Sequence, residues 1–270
     1  MRRPAVAGQF YPRDPVALRA QVQGLLEEAR ALATPVRGAI VPHAGLQYSG
    51  ACAAEVFTRV RLAPTVVVLA PNHTGRVGAP GGASAWTEGA FETPLGRIRI
   101  AEDFLHGLCR TCDLVSHDPV AHEREHAIEV ELPFLSLLSP QSLLAPIVLA
   151  WDDWERCSVL GDALATAVRE WSEPVSLLAS SDMTHYETAV SAEQKDRLAL
   201  DHIVRLDGAG LLDVCRRENI TMCGRAAAAT VLHAAKALGA TTGELVDYRH
   251  SGWVTGDESS VVAYAGVIIP

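Results

Sequence analysis

The sequence predicts a single α/β domain over residues 1–270, with a central β-sheet, mostly parallel or mixed, flanked by helices on both faces. Short, continuous β-branched runs alternate along the chain with longer amphipathic segments, as is typical of strands that are covered on both faces. Hydrophobic residues make up 49% of the chain, which is enough for one large core. No internal repeat or linker-like stretch divides the sequence, so one domain is the simpler interpretation.

The apolar runs predict strands, and the segments of helical periodicity between them predict helices. Strands are predicted at residues 37–42, 65–70, 97–100, 144–149, 175–179 and 260–269. Helices are predicted at residues 16–32, 50–60, 102–112, 127–138, 153–170, 192–206, 209–217 and 225–238. Pro133 weakens the fourth helix at its centre. The glycine-rich residues 78–84 lack the Lys-Ser/Thr of a phosphate loop and predict a flexible surface loop.

The charge balance excludes one class of partner. The chain has 32 acidic and 23 basic residues and a formal net charge of −9, so it lacks the basic surface from which nucleic-acid binding gains free energy. No apolar run is long enough for a membrane span or a signal peptide, and we therefore expect no membrane association and a cytoplasmic location. The six cysteines are then expected to be reduced thiols.

Histidines follow three of the predicted strands at the point where each strand ends. RGAIVP runs into His43, TVVVLAP runs into Asn72 and His73, and VSLLAS is followed by Asp182 and His185. Each histidine alone has an ordinary explanation as part of a turn. Because ligands of open α/β sheets bind outside the carboxyl ends of the strands, the set together favours a metal site formed by His43 and His73.

Cys223 is the third candidate metal ligand. It lies in the segment TMCGR, directly before the predicted helix at 225–238. The dipole of a helix N-terminus lowers the pKa of a thiol, and thiolate is the form that binds metal. The alternative is a small buried residue that permits close helix packing, which is the commoner role of a free cysteine.

Two further groups of polar residues are candidates for chemistry near this site. Asp182 and His185 are three residues apart, so one helical turn would let the carboxylate orient the imidazole as a proton donor or acceptor. The alternative is an Asp helix cap with an incidental histidine. The segment HEREH ends at His126 and is followed by Glu129, a pattern that is also typical of a solvated helix face. We assign His126, Glu129 and Asn72 a supporting role behind the metal ligands or facing the substrate.

An ordered set of motifs resembles the Memo family, whose bacterial members are often called AmmeMemoRadiSam system protein B. The motifs extend from about residue 7 to residue 266 and therefore cover almost the whole chain. They read AGQFYP, VPHAGLQYSGACAA, LAPNHTG, EHAIEVELPFL, SSDMTHY, TMCGR and DESSVVAYAG.

The Memo family is similar in fold to the class III extradiol ring-cleaving dioxygenases, which hold Fe(II) with two histidines and a carboxylate. The resemblance implies that His43 and His73 match the histidine ligands and that Cys223 stands in place of the carboxylate. It also implies that His185 matches the acid/base histidine, with Asp182 and His126 in the same pocket. Two imidazoles and a thiolate form a softer ligand set, so Fe(II) is the expected metal and Cu or Zn is also compatible.

Two functions from different classes follow. The first is a non-haem Fe(II)-dependent oxidoreductase of the extradiol dioxygenase type, which acts on a small aromatic or otherwise enolisable molecule, with His185 and Asp182 moving the substrate proton. The second is a module without turnover, which binds a metal ion or a peptide and works as a subunit beside a radical enzyme. The thiolate ligand favours the second function, and the dioxygenase-like fold that the resemblance implies favours the first.

Overall fold

Four parallel strands form the middle of the main sheet, and the sequence explains why. Their residues are mostly valine, leucine, isoleucine and alanine, and nearly all are buried, as expected where helices cover both faces of a sheet. The computed structural model describes all of residues 1–270. The strands are β1 (Gly38–Val41), β2 (Thr65–Pro71), β3 (Ala83–Ala85), β4 (Ala90–Thr93), β5 (Gly96–Arg99), β6 (Val115–His117), β7 (Leu143–Leu149), β8 (Val175–Ser180), β9 (His185–Glu187), β10 (Glu244–His250) and β11 (Val261–Ile269).

The main sheet is mixed, with the strand order β10-β11-β1-β8-β2-β7-β3-β6, and β9 pairs with β11. The inner strands β1, β8, β2 and β7 are parallel to one another. The flanking strands are antiparallel to them, since β11 runs antiparallel to β1 and β3 runs antiparallel to β7. Strands β4 and β5 form a separate antiparallel pair. The prediction of a mostly parallel or mixed sheet is therefore confirmed.

Helices lie in two groups against the main sheet. The helices are α1 (Pro15–Ala29), α2 (Leu46–Phe57), α3 (Glu102–Thr111), α4 (Pro119–His122), α5 (Leu132–Leu138), α6 (Trp154–Glu170), α7 (Ala189–Val204), α8 (Gly208–Arg217), α9 (Arg225–Ala237) and α10 (Gly252–Thr255). Helix α2 packs on β1, β10 and β11 together with α1, and α9 packs on β1, β2 and β8 together with α6 and α8. One continuous hydrophobic core extends from Val6 to Ile269. None of the helices is both long and apolar enough to cross a lipid bilayer.

Three sequence predictions need correction. The helix predicted at 127–138 is a 3₁₀ turn, Glu129–Glu131, followed by α5, because Pro133 has no N–H to donate and is tolerated only in the first turn of an α-helix. The strand predicted at 97–100 is present as β5, but it pairs with β4 in a hairpin, and only Ile100 bridges to the main sheet, at Leu144. Residues 78–84 are not a free surface loop, since Ala83 and Ser84 belong to β3 and the N–H of Gly78 donates to Asp118.

The topology places the carboxyl ends of β1, β8 and β2 side by side. Val41 pairs with Ser180, and Leu69 pairs with Ala179, so the three adjacent strands end at one edge of the sheet. The residues that directly follow them are the candidates for metal binding and proton transfer. This edge is where the functional site is built.

Candidate metal centre

Three histidines converge at this edge of the sheet. His43 follows β1, His73 follows β2, and His126 lies in the turn before the Glu129–Glu131 3₁₀ helix. One ring nitrogen of each lies within 4.8 Å of the others. The ring centroids of His43 and His73 are 5.2 Å apart, and those of His73 and His126 are 4.5 Å apart. The predicted pair is therefore brought together, and His126, predicted only as a supporting residue, is a third candidate ligand.

Hydrogen bonds at Nδ1 orient the two histidines that follow strands. His43 Nδ1 lies 2.8 Å from the hydroxyl of Ser180, and His73 Nδ1 lies 2.8 Å from the carboxylate of Glu125. Such a bond directs Nε2 away from the supporting group, and a partner behind the ring is the usual arrangement for a metal-binding histidine. Sequence reasoning missed Ser180, and it placed Glu125 within the supporting HEREH segment without linking it to His73. The sequence features that could have indicated these partners are the adjacency of Glu125 to His126 and the position of Ser180 as the last residue of β8.

The environment keeps two of these imidazoles neutral. Burial lowers the pKa of His43 well below its usual value, and the nearby His73 and His126 act in the same direction. Burial lowers the pKa of His126 to about 4, although the negative charge of Glu125 opposes this shift. Neutral imidazole is the form that binds metal, so the donor set fits a cation at neutral pH.

Glu125 holds this arrangement together. Its carboxylate accepts hydrogen bonds from the backbone N–H groups of His73, His126 and Ala127 as well as from His73 Nδ1. Burial acts to raise the pKa of Glu125, but the hydrogen bond and charge of His73 and the N–H of Ala127 outweigh it and lower the pKa. Glu125 is therefore an ionised, buried carboxylate and does not belong to a solvated helix face.

Cys223 lies beside His43, with its Sγ 3.3 Å from His43 Nε2. It stands outside the three-histidine group but within reach of the same centre. As predicted, it directly precedes α9. Gly224 makes this position possible, because a Cβ there would come within 2.3 Å of the carbonyl oxygen of Ser180.

The expected lowering of the thiol pKa is not found. Burial raises the pKa of Cys223, and the negative charge of Asp182 acts in the same direction. The backbone N–H groups of Asp182 and Gly224 oppose the rise but do not overcome it. The reason is that removing the thiolate from water destabilises it by more than the helix N-terminus stabilises it. A nearby cation is therefore needed to favour thiolate at neutral pH.

Asp182 and His185 lie in the same cavity but do not form the predicted pair on one helical turn. Residues 181–184 form no helical turn or other regular secondary structure and lead into β9. The Asp182 carboxylate accepts hydrogen bonds from the backbone N–H groups of His43 and Ala44, at 2.8 and 3.3 Å. His185 instead donates from Nδ1 to the carbonyl of Thr221, at 3.0 Å. Thr221 thus takes the orienting role that was predicted for Asp182.

Burial raises the pKa of Asp182 to about 6 against the opposing hydrogen bond from His43 and the charge of His185. A carboxyl group that titrates in this range can hold or release a proton at neutral pH. Whether Asp182 and His185 take part in catalysis stays a prediction.

Glu129 and Asn72 fix backbone segments around the centre. The Glu129 carboxylate is fully buried and binds the N-terminal segment, through the Arg2 guanidinium, the Tyr11 hydroxyl and the backbone N–H of Val6. Asn72 donates to the carbonyl of Arg76, at 2.7 Å, and closes the loop after β2. Neither side chain is among the three-histidine group, and Asn72 also lines the cavity that contains Cys223.

Two cavities meet at the histidines. The first, of about 560 Å³, is lined by His43, His126, Asp182 and His185, and its other walls include Phe10, Tyr48 and Tyr264. The second, of about 570 Å³, is lined by Cys223, Trp151 and Arg225. His73 borders both cavities. The centre is therefore open to a small molecule.

Comparison with known proteins agrees with the motifs. A family model described as a Memo-like protein matches residues 2–268. The chain belongs to the Memo family. A MEMO1 family protein of Methanopyrus kandleri is 39% identical over 280 residues, covering 99% of this chain and 98% of that protein. One from Methanosarcina barkeri is 39% identical over 270 residues, with both chains fully covered, and one from Aquifex aeolicus is 38% identical over 269 residues.

Membership of the Memo family confirms the resemblance that the sequence motifs carry. The family relationship spans the same residues as the α/β fold and includes every candidate side chain of the centre. The printed names of these relatives state a family and no activity. The chemistry of the centre therefore has to be argued from its own residues.

Proposed function

We propose that this Memo-family protein is a non-haem Fe(II)-dependent oxidoreductase of the extradiol dioxygenase type. The observation that carries the proposal is the convergence of three histidine rings and one thiol beside a cavity that also holds His185. His43, His73 and Cys223 are the proposed ligands, and His126 is the alternative third donor. Imidazole and thiolate donors bind Fe(II), and they also accept Cu or Zn.

When bound, Fe(II) supplies the electron-transfer chemistry with dioxygen that organic side chains lack. The residues of the chain then have to bind and orient the substrate and move its proton. Phe10, Tyr48 and Tyr264 give the first cavity an aromatic wall, which suits a small aromatic or otherwise enolisable molecule. A phenol or enol binding here would lie beside His185 and Asp182.

His185 is suited to take the substrate proton. Because its Nδ1 donates to the Thr221 carbonyl, Nε2 carries the free lone pair in the neutral ring. A general base with a fixed tautomer accepts a proton without first reorienting. Asp182 lines the same cavity as a buried carboxyl group that can stabilise the resulting imidazolium.

The test is anaerobic reconstitution with Fe(II), followed by oxygen uptake with a panel of catechols. Wild type is expected to consume oxygen with at least one catechol, and His185→Ala is expected to retain the metal but lose most of the uptake. Metal analysis of Cys223→Ala and His126→Ala identifies the third ligand, since only loss of a ligand should release iron. Equal oxygen uptake in wild type and His185→Ala would refute the assigned proton transfer.

A second candidate function is a metal- or peptide-binding subunit without turnover, acting beside a radical enzyme. It is favoured by one observation: the three-residue group contains no carboxylate, and the Cys223 thiol lies 3.3 Å from His43 Nε2. This function predicts stoichiometric iron in the purified protein, lost in His43→Ala, together with no oxygen uptake on any catechol. Co-purification with a radical enzyme encoded by the same organism would then identify the partner.

A further inference from the structure

A buried chain of hydrogen bonds lies behind His43. The hydroxyl of Ser180 is 2.8 Å from His43 Nδ1, 2.8 Å from the carbonyl oxygen of Ala127 and 3.0 Å from Oε1 of Glu131. His43, Ser180 and Glu131 are each only 1% exposed. One hydroxyl group therefore has three close polar neighbours and no access to water.

The protons of this chain can be assigned from valence alone. A carbonyl oxygen carries no proton, so the contact with Ala127 requires the single hydroxyl proton of Ser180. The other two contacts of the Ser180 oxygen must then receive protons from their partners. His43 has to carry its proton on Nδ1, and Glu131 has to carry one on Oε1. Any other assignment brings two unprotonated acceptors together at hydrogen-bond distance.

We infer that Glu131 is a neutral carboxylic acid that donates to Ser180 and thereby holds His43 as the Nδ1–H tautomer, with the Nε2 lone pair facing the centre. Glu131 is in this sense a positioning residue, since it touches neither the centre nor the cavities. The inference deepens the proposed metal site, and its first measurement below does not depend on any metal.

The surroundings of Glu131 independently support the neutral form. Its Oε2 has no hydrogen-bond partner, and none of the ion pairs in the protein includes this residue. An ionised carboxylate here would be buried with one oxygen unpaired and no compensating cation, which is far more costly than an unpaired neutral oxygen. Burial accordingly raises the pKa of Glu131 well above its usual value; the hydrogen bond with Ser180 opposes this rise without overcoming it, and the negative charge of Asp182 adds to it.

Two nearby buried carboxylates show what an ionised group requires in this part of the fold. Glu125 has backbone N–H donors and the His73 ring, and Glu129 has a guanidinium, a hydroxyl and backbone N–H groups. Glu131 has only the hydroxyl of Ser180. The contrast lies in the donors and not in burial, since all three side chains are buried.

The experiment uses three forms of the full-length protein: wild type, Glu131→Gln and Glu131→Ala. The first measurement is the infrared difference spectrum of metal-free wild type and Glu131→Gln at neutral pH. The difference spectrum is expected to contain a band of a protonated carboxyl group that wild type has and Glu131→Gln lacks, whereas any band of Asp182 occurs in both proteins and cancels. Absence of that band from wild type would overturn the inference, even if the protein binds no metal at all.

The second measurement is the affinity for Co(II), followed by its visible absorption. A glutamine amide can donate to Ser180 as the acid does, so Glu131→Gln is expected to bind Co(II) within about threefold of wild type. Glu131→Ala lacks the donor and is expected to bind about 10-fold to 100-fold more weakly. Equal weakening in both variants would contradict a neutral donor. Nitrogen NMR of the His43 ring in Glu131→Gln, which retains the donor, should show the Nδ1–H tautomer.

Discussion

The two histidines that follow the parallel strands are both held through Nδ1 at 2.8 Å, but one is held by a charged group and the other by a neutral one. His73, whose side chain is 30% exposed, is held by the ionised carboxylate of Glu125. His43 is 1% exposed and is held by the neutral hydroxyl of Ser180. In both arrangements a partner occupies Nδ1 and Nε2 points away from it, yet only one places a negative charge behind the ring.

The difference follows from the available donors. Glu125 lies at a turn whose backbone N–H groups point at its carboxylate, and these bonds offset the loss of water around the charge. No such group faces the side chain of Glu131 behind Ser180. The ionised carboxylate behind His73 therefore occurs where backbone N–H groups stabilise its charge. The neutral hydroxyl behind His43 occurs where no such N–H groups are present. Substitutions behind His73 should consequently remove a charge, whereas substitutions behind His43 should remove only hydrogen bonds between neutral groups.

Glu125→Gln is expected to have the largest effect. The amide oxygen can replace only one carboxylate oxygen, and the NH₂ group must then face N–H donors. We expect a loss of about 3 kcal/mol in the free energy of unfolding and about 100-fold in Co(II) affinity. Urea denaturation and Co(II) titration measure the two quantities. Glu123→Gln, at a half-exposed surface carboxylate paired with Arg76, is the control and should change neither by much. A Co(II) affinity equal to that of wild type would show that the charge behind His73 is dispensable.

Ser180→Ala should have a smaller effect, because it removes a hydrogen bond between neutral groups. His43 Nδ1 and Glu131 would each lose a partner in a buried site, which predicts a loss of about 2 kcal/mol in stability and about 10-fold in Co(II) affinity. Ser142→Ala is a matched control, since its buried hydroxyl bonds the carbonyl of Ala63 away from the centre. That control should lose stability without losing metal affinity. If Ser180→Ala binds Co(II) as wild type does, Ser180 does not orient His43.

The pH dependence of the free energy of unfolding tests directly whether Glu131, behind Ser180 and His43, is neutral. The pKa of Glu131 is raised in the folded protein, so its contribution to stability is fully present below the unfolded pKa. That contribution is lost as the pH rises toward the folded pKa, by at most about 1.4 kcal/mol per pH unit. Glu131→Gln should therefore gain stability relative to wild type between about pH 5 and about pH 7 in urea unfolding of the metal-free protein. Glu123→Gln should not show this gain. A constant difference between Glu131→Gln and wild type across this range would indicate an ionised Glu131.

The fold could be predicted because its inner strands are local patterns. Short, mostly apolar runs mark β1, β2, β7 and β8, and the rule that parallel strands end at a common edge brings His43 and His73 together. Strand β10 was missed because its sequence, ELVDYRH, is largely polar. It lies at the end of the main sheet and is mostly half-buried, so it carries no apolar signal.

The hydrogen-bond partners of the site residues could not be predicted, because contacts between distant segments fix them. The turn that carries Glu125 and His126 is held by the Arg2 side chain, which donates to the carbonyls of His122 and Glu125 across more than a hundred positions of sequence. Thr221 reaches His185 in the same way, through the backbone of the segment before Cys223. Spacing along the chain contains no trace of such contacts. A backbone carbonyl, in particular, leaves no signature in side-chain patterns.

His185→Ala should have the smallest effect on the centre. His185 is held by the Thr221 carbonyl and has no hydrogen bond to either supporting network, so Co(II) affinity is expected to stay within about twofold of wild type. Oxygen uptake by the Fe(II)-loaded protein is expected to fall by about 100-fold, because loss of a general base removes proton transfer and not metal binding. His202→Ala, which removes a half-buried histidine bonded to Asp207, controls for the loss of an imidazole elsewhere. A fall in Co(II) affinity as large as that of Glu125→Gln would instead make His185 a ligand. The Thr221 carbonyl would then be a third group that orients a metal-binding histidine, beside Glu125 and Ser180.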